Sequence, residues 1–206
     1  KQQMGNALRS YRAARSAGHE HPAALAIAKV HASFSGDIRD HLVQMLDHVG
    51  LNRWLGLASS AALWDTRQDL AHFTSALRYP VFVDGGNYSG SSPRMVKSPA
   101  LRPTIDTLLA REILALPSHA IIVPLGSKVE EALRYVAAHN PGFDERRVLW
   151  GLPHPSPANQ GEINPFLELP PNPGRTRPVP ASIAGRREAL RRQIAQLPPR
   201  PRNLAA

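Results

Sequence analysis

Apolar residues recur at spacings of three and four through "SGDIRDHLVQMLDHVG": Ile38, Leu42, Met45, Leu46 and Val49 fall on one helical face. The pattern predicts an amphipathic helix that Asp37 can start and Gly50 can stop. Two further helices are predicted before it. One covers the polar, basic stretch Leu8–Ala17, and the other follows His21-Pro22, where proline suits a first helical turn. Residues 51–70 read as broken helix. "RYPVFV" (78–83) is short, aromatic and β-branched, with Asp84-Gly85-Gly86 behind it, so a strand ending in a turn is expected. Leu101–Leu116 reads as a helix closed by Pro117. "HAIIVPLG" (119–126) is an apolar run bounded by turn signals, and Ser127 with Glu130 has the spacing of a capping box at a helix start. Val148–Leu152 is the last apolar run.

The order β (78–83), α (101–116), β (119–125), α (127–139), β (148–152) predicts an α/β protein with a short parallel sheet covered on both faces. Residues 1–77 form its helical N-terminal part and 78–169 its βαβαβ part. Residues 170–206 make a Pro/Arg-rich tail with a possible short helix over 182–197. In such a sheet ligands bind beyond the carboxyl ends of the strands. Gly85–Gly90, Leu125-Gly126-Ser127 and His154-Pro155-Ser156-Pro157 are therefore expected to converge.

Composition sharpens the picture in two ways. The 206 residues contain no cysteine, which removes disulfides, thiolate nucleophiles, Cys-ligated zinc and iron–sulfur clusters. The net charge of +9 is unevenly spread: Pro170–Ala206 holds eight arginines and one glutamate. Such a segment suits a polyanion, or serves as a solubilising extension. No apolar run is long enough to span a membrane and no secretory signal is visible, so a cytoplasmic protein without a membrane partner is expected. The chain begins at Lys1 rather than Met, so a fragment is also expected.

Three places could carry chemistry. His154 sits among prolines that fix the backbone around it, so its imidazole can be held as a donor to an oxygen that gains charge. Asn87 offers an amide able to read a nucleobase edge. The helix start at Ser127 has free backbone N–H groups suited to an anion. Each also has an ordinary structural role: an exposed histidine, turn chemistry and a plain cap. The other histidines show no metal-ligand spacing, and neither a metal nor a cofactor is expected.

In combination these residues resemble a known family. "LPHPSPAN" is similar to the His-Pro-Ser-Pro loop of the uracil-DNA glycosylase superfamily. "IIVPLGSKVEEAL" resembles the strand, glycine and helix before that loop, and "GNYSG" resembles the Asn-Tyr loop of the single-strand-selective monofunctional members. The resemblance covers about residues 78–166. It implies a three-layer α/β/α fold and base excision repair activity: a uracil or related damaged base is flipped out of DNA and its N-glycosidic bond hydrolysed. His154 would be catalytic, donating to uracil O2. Asn87 and Tyr88 would bind the base. Gly126, Ser127, Pro155, Ser156, Pro157 and Asn159 would contact DNA, with Ala158 and Gln160 at the groove. DNA is the implied partner and no cofactor is needed.

The resemblance is incomplete. The family's first motif, which positions the attacking water, has no counterpart in residues 1–79. Two alternatives follow: a nucleobase- or nucleic-acid-binding protein without cleavage, or an unrelated α/β domain whose basic tail binds a partner.

Overall fold

In the computed structural model, residues 2–32, 34–170 and 182–199 are described. Among them are helices α1 (Gln2–Ser16), α2 (His21–Ala32), α3 (Asp37–His48), α4 (Leu51–Leu55), α5 (Arg102–Thr104), α6 (Ala110–Leu114), α7 (Ser127–His139), α8 (Gln160–Phe166) and α9 (Ser182–Ala195), with strands β1 (Phe82–Val83) and β2 (Gly86–Asn87). The chain divides into two compact units. The first holds the described residues up to Phe73 together with Pro155–Gln160. The second holds Thr74–His154 and the described residues of Gly161–Pro199.

In the first unit α1 and α2 pack against each other, and the Tyr11 hydroxyl meets His21 Nδ1 at 2.8 Å. The periodic stretch forms α3, with Leu42, Met45 and Leu46 buried. Gly50, in the left-handed region at φ 87°, turns the chain into α4. Asp47 then holds the following turn: its carboxylate accepts from Ser59 Oγ and from the Ser60 amide, both at 2.7 Å. Trp64 stacks on Phe73 with centroids 4.9 Å apart.

The second unit is built on an apolar cluster that includes Leu101, Ile105, Leu109, Ile113, Ile122, Leu133, Val136 and Val148. Residues 102–114 are helical throughout, with a π-helical segment at Ile105–Leu109 between α5 and α6.

The expected three-layer α/β/α fold with a parallel sheet does not form. The described residues are mostly helical, and their strands are an antiparallel pair of two residues each. The run at 78–83 does not join a parallel sheet, because Asp84 and Gly85 turn it back on itself and Phe82 pairs with Asn87. The other two apolar runs do lie side by side in parallel, but they share a single bridge, Ile122 with Val148. The Ile122 amide donates to Arg147 O at 2.8 Å, and Leu149 donates to Ile122 O at 2.9 Å. Proline limits the ladder: neither Pro124 nor Pro153 has an N–H to extend it. A helix side chain fills the next position. Gln193 of α9 accepts from the Trp150 amide at 3.0 Å and donates to its carbonyl at 3.3 Å. The side-chain amide thus occupies the place a neighbouring strand would take.

The capping box at Ser127 is also absent. Gly126 is the N-cap, and no side chain caps the helix. Glu130 reaches instead to the end of the neighbouring run, where its Oε1 accepts from the Gly151 amide at 2.7 Å.

The basic segment is only partly a tail. Arg175, Arg177, Arg200, Arg202 and most of the proline-rich stretch lie outside the described residues. Helix α9 is packed into the second unit through buried Ile183, Leu190 and Ile194. Arg187, on the same face, is 8% exposed. It donates to Pro165 O at 3.2 Å and pairs with Glu168 and Glu188. Arg186 pairs with Glu162, and Arg191 with Glu168 and Glu188. Three of the arginines thus have intramolecular partners.

Candidate functional site

The two parallel runs end together, and this places His154. The Gly126 amide donates to Leu152 O at 3.0 Å, so the turn into α7 lies beside the end of the second run. Gly126 adopts φ 84° and ψ 162°, a conformation open essentially to glycine alone. His154 explains the absence of a side chain there. A Cβ on Gly126 would lie 2.8 Å from His154 Cβ and 3.3 Å from its amide nitrogen. The backbone of the helix start thus packs directly on the histidine that the prolines hold.

His154 remains exposed at its surface. The atoms crowding its inner side nevertheless desolvate it enough to lower its pKa from the ordinary 6.5. At neutral pH the imidazole is therefore uncharged, with one nitrogen able to donate and one able to accept. Beside it, the Gly126 carbonyl accepts from the amides of Val129 and Glu130, both at 3.1 Å. The exposed Ser127 and Lys128 occupy the first turn of α7, at the positive end of the helix dipole.

The hairpin loop reaches the same helix. A Cβ on Gly90 would lie 3.6 Å from both Cβ and Cγ of Lys128. Arg94 pairs with Glu131 through two of its nitrogens. Tyr88 turns its ring toward the apolar cluster and donates its hydroxyl to Pro93 O. Burial first, and the Glu131 carboxylate second, raise its pKa. The phenol therefore already has a partner within the protein. Asn87 is exposed, directly opposite Phe82 across the hairpin.

The remaining expected DNA contacts belong to the first unit. Pro155 is buried, and its carbonyl lies 3.0 Å from His41 Nδ1. A carbonyl can only accept, so His41 carries its proton on Nδ1. Ser156 O accepts from the Asn159 amide at 2.8 Å, and Pro157–Asn159 form a 3₁₀ turn. The structure thus brings His154, Gly126 and Ser127 to one place and Gly90 to the adjoining first turn of α7. No described contact joins Asn87 to His154.

Among the described residues, no group of three His, Asp or Glu side chains could hold a metal ion. No described helix is long and apolar enough to cross a membrane. No family model matches the chain. No solved structure matches it either. The chain is similar to the uncharacterized protein YoxB of Bacillus subtilis (strain 168). Identity is 33% over 138 residues, which cover 67% of this chain and 54% of YoxB. The chain thus spans about half the length of the curated relative it matches.

Two residues of interest escaped sequence reasoning. Phe82 was legible only as a strand residue, although strand alternation puts it on the face opposite Val81 and Val83. Lys128 was hidden inside an apparent capping box.

Proposed function

We propose that the protein hydrolyses the N-glycosidic bond of uracil or a related damaged base flipped out of DNA. The observation that carries this is the packing of His154 on Gly126 at the start of α7, with the imidazole held neutral. The proposal rests on these loops and not on the architecture, which differs from the expected one.

Breaking the bond leaves positive charge on the sugar and negative charge on the departing base. A neutral imidazole N–H aimed at the base O2 stabilises that anion without itself losing a proton. Such preorganised donors contribute about 3–4 kcal/mol. Water supplies hydroxyl to the sugar carbon and a proton to the base. Extruding the base costs a few kcal/mol in duplex DNA and less in single strands. Backbone phosphates gripped at the Ser127–Lys128 helix start would offset part of that cost.

A second reading is base binding without cleavage. It is favoured by one observation: residues 1–79 contain no motif that would position the attacking water.

The test is incubation of the full chain with uracil-containing single- and double-stranded oligonucleotides, followed by detection of abasic sites. His154→Ala should lower the rate about 10²-fold or more. Equal rates in variant and wild type would overturn the assignment. Binding without abasic sites in the wild type would favour the second reading.

A further inference from the structure

The run that leads into His154 is held by α7 at two successive backbone groups. Glu130 Oε1 accepts from the Gly151 amide at 2.7 Å, and the Gly126 amide donates to Leu152 O at 3.0 Å. Both anchors come from one helix start, where the Gly126 carbonyl accepts from the Glu130 amide at 3.1 Å. Pro153 then fixes φ at the one residue between the second anchor and His154. Gly151 is the point at which this run could swing. It adopts φ 110° and has no side chain to fix it. On its other side the main chain approaches α9 closely: a Cβ there would lie 3.4 Å from Arg186 Cβ.

A carboxylate in the first turn of a helix is favoured by the helix dipole wherever it points, which is the ordinary reason to find one there. Glu130 instead leaves its own helix to bond a buried glycine three residues before the imidazole. It does not act on that imidazole by charge. A nearby carboxylate would favour the imidazolium and raise its pKa, whereas the His154 pKa is lowered and burial is the cause. The other charged groups packed around this run are Lys128, exposed in the same turn, and Arg186, paired with Glu162. What Glu130 contributes is therefore the place of the main chain.

We propose that Glu130 is a positioning residue for His154: by holding the Gly151 amide it fixes the run that carries the imidazole, and so the place at which that ring meets the departing base. The role in excision rests on the function proposed above, but the placement of the ring does not.

The test follows the His154 ring by NMR titration of the full chain, its signal identified as the one lost in His154→Gln. In Glu130→Ala the run loses an anchor and the ring gains water on its inner side, so its pKa should rise toward 6.5. Glu130→Gln keeps an acceptor and should titrate as the wild type does. Glu130→Asp keeps the charge but withdraws the acceptor by one methylene. It should reproduce the alanine shift, and it carries the same test should the alanine variant fail to fold. On a uracil-containing single-stranded oligonucleotide, Glu130→Ala should lower kcat about 10²-fold per folded molecule with KM little changed, the pattern of a misplaced group. Glu130→Gln should recover most of that loss.

A lower melting temperature in Glu130→Ala and Glu130→Asp with unmoved His154 titration makes Glu130 merely structural and overturns the proposal. Equal shifts in Glu130→Ala and Glu130→Gln mark an effect of charge and overturn it too. The two proposals fail separately. If the titration follows the expected order and the wild type forms no abasic sites, only the catalytic reading falls. If the wild type excises uracil and Glu130→Ala keeps its kcat, only the positioning role falls.

Discussion

His154 occupies the space in which Gly126 would carry a side chain: a Cβ on residue 126 would lie 2.8 Å from His154 Cβ. The two positions are thus constrained together, one by backbone conformation and the other by packing. Gly126→Ala combines a strained backbone with a clash against atoms close to the main chain. It should destabilise the protein by about 1–3 kcal/mol, read as a lower midpoint in urea. Excision, if it depends on His154, should fall by more than the lost folded fraction accounts for.

Glu130 makes a separate prediction. Its carboxylate accepts from the buried Gly151 amide. Glu130→Ala leaves that N–H without its partner and should cost about 1–3 kcal/mol. Glu130→Gln keeps an acceptor and should recover most of the loss. Equal destabilisation in the two variants would show that the hydrogen bond contributes little.

Protonation of His154 gives a pH dependence. Burial favours the neutral ring, so the folded pKa lies below the ordinary value of 6.5. As pH falls through about 6.5 the unfolded chain takes up the proton first. Stability should therefore be level above that pH, decline below it, and level off again under the folded pKa. His154→Gln should remove this component of the acid-side decline in thermal melts.

Helix α9 should behave as core. Leu190 is buried on the face shared with Ile183 and Ile194, and Leu190→Ala should cost about 2–5 kcal/mol. Arg187→Met keeps an apolar stem but loses the donors to Pro165 O and the glutamates, so it should destabilise by less than Arg187→Ala. Calorimetric melts of the full chain would rank the three. An unchanged melting temperature for Leu190→Ala would contradict this packing.

The sequence was most informative where one helix face decided the outcome. α3 carries its apolar residues at strict helical spacing, and the structure buries Leu42, Met45 and Leu46 as that spacing requires. It misled where short apolar runs had to choose neighbours. Residues 119–125 and 148–152 have the composition of buried strands, but Pro124 and Pro153 withhold the donors a longer ladder needs. The same stretch could have warned against the capping box, since Gly126 supplies a conformation Ser127 cannot adopt. In the basic segment, a run of arginines drew attention away from Ile183, Arg187, Leu190 and Ile194. Their spacing of four, three and four marks one buried helical face. The approach of Gly126 to His154 depends on where two distant segments end, and no local pattern encodes it.

The amide of Gln193, laid along both backbone groups of Trp150, also guards against misassembly. An apolar run whose N–H and C=O groups face outward is a template on which a second chain can add a strand. Here that invitation is withdrawn by one side chain from a helix. Gln193→Ala should therefore show its cost less in the melting temperature than in the concentration at which the protein begins to aggregate.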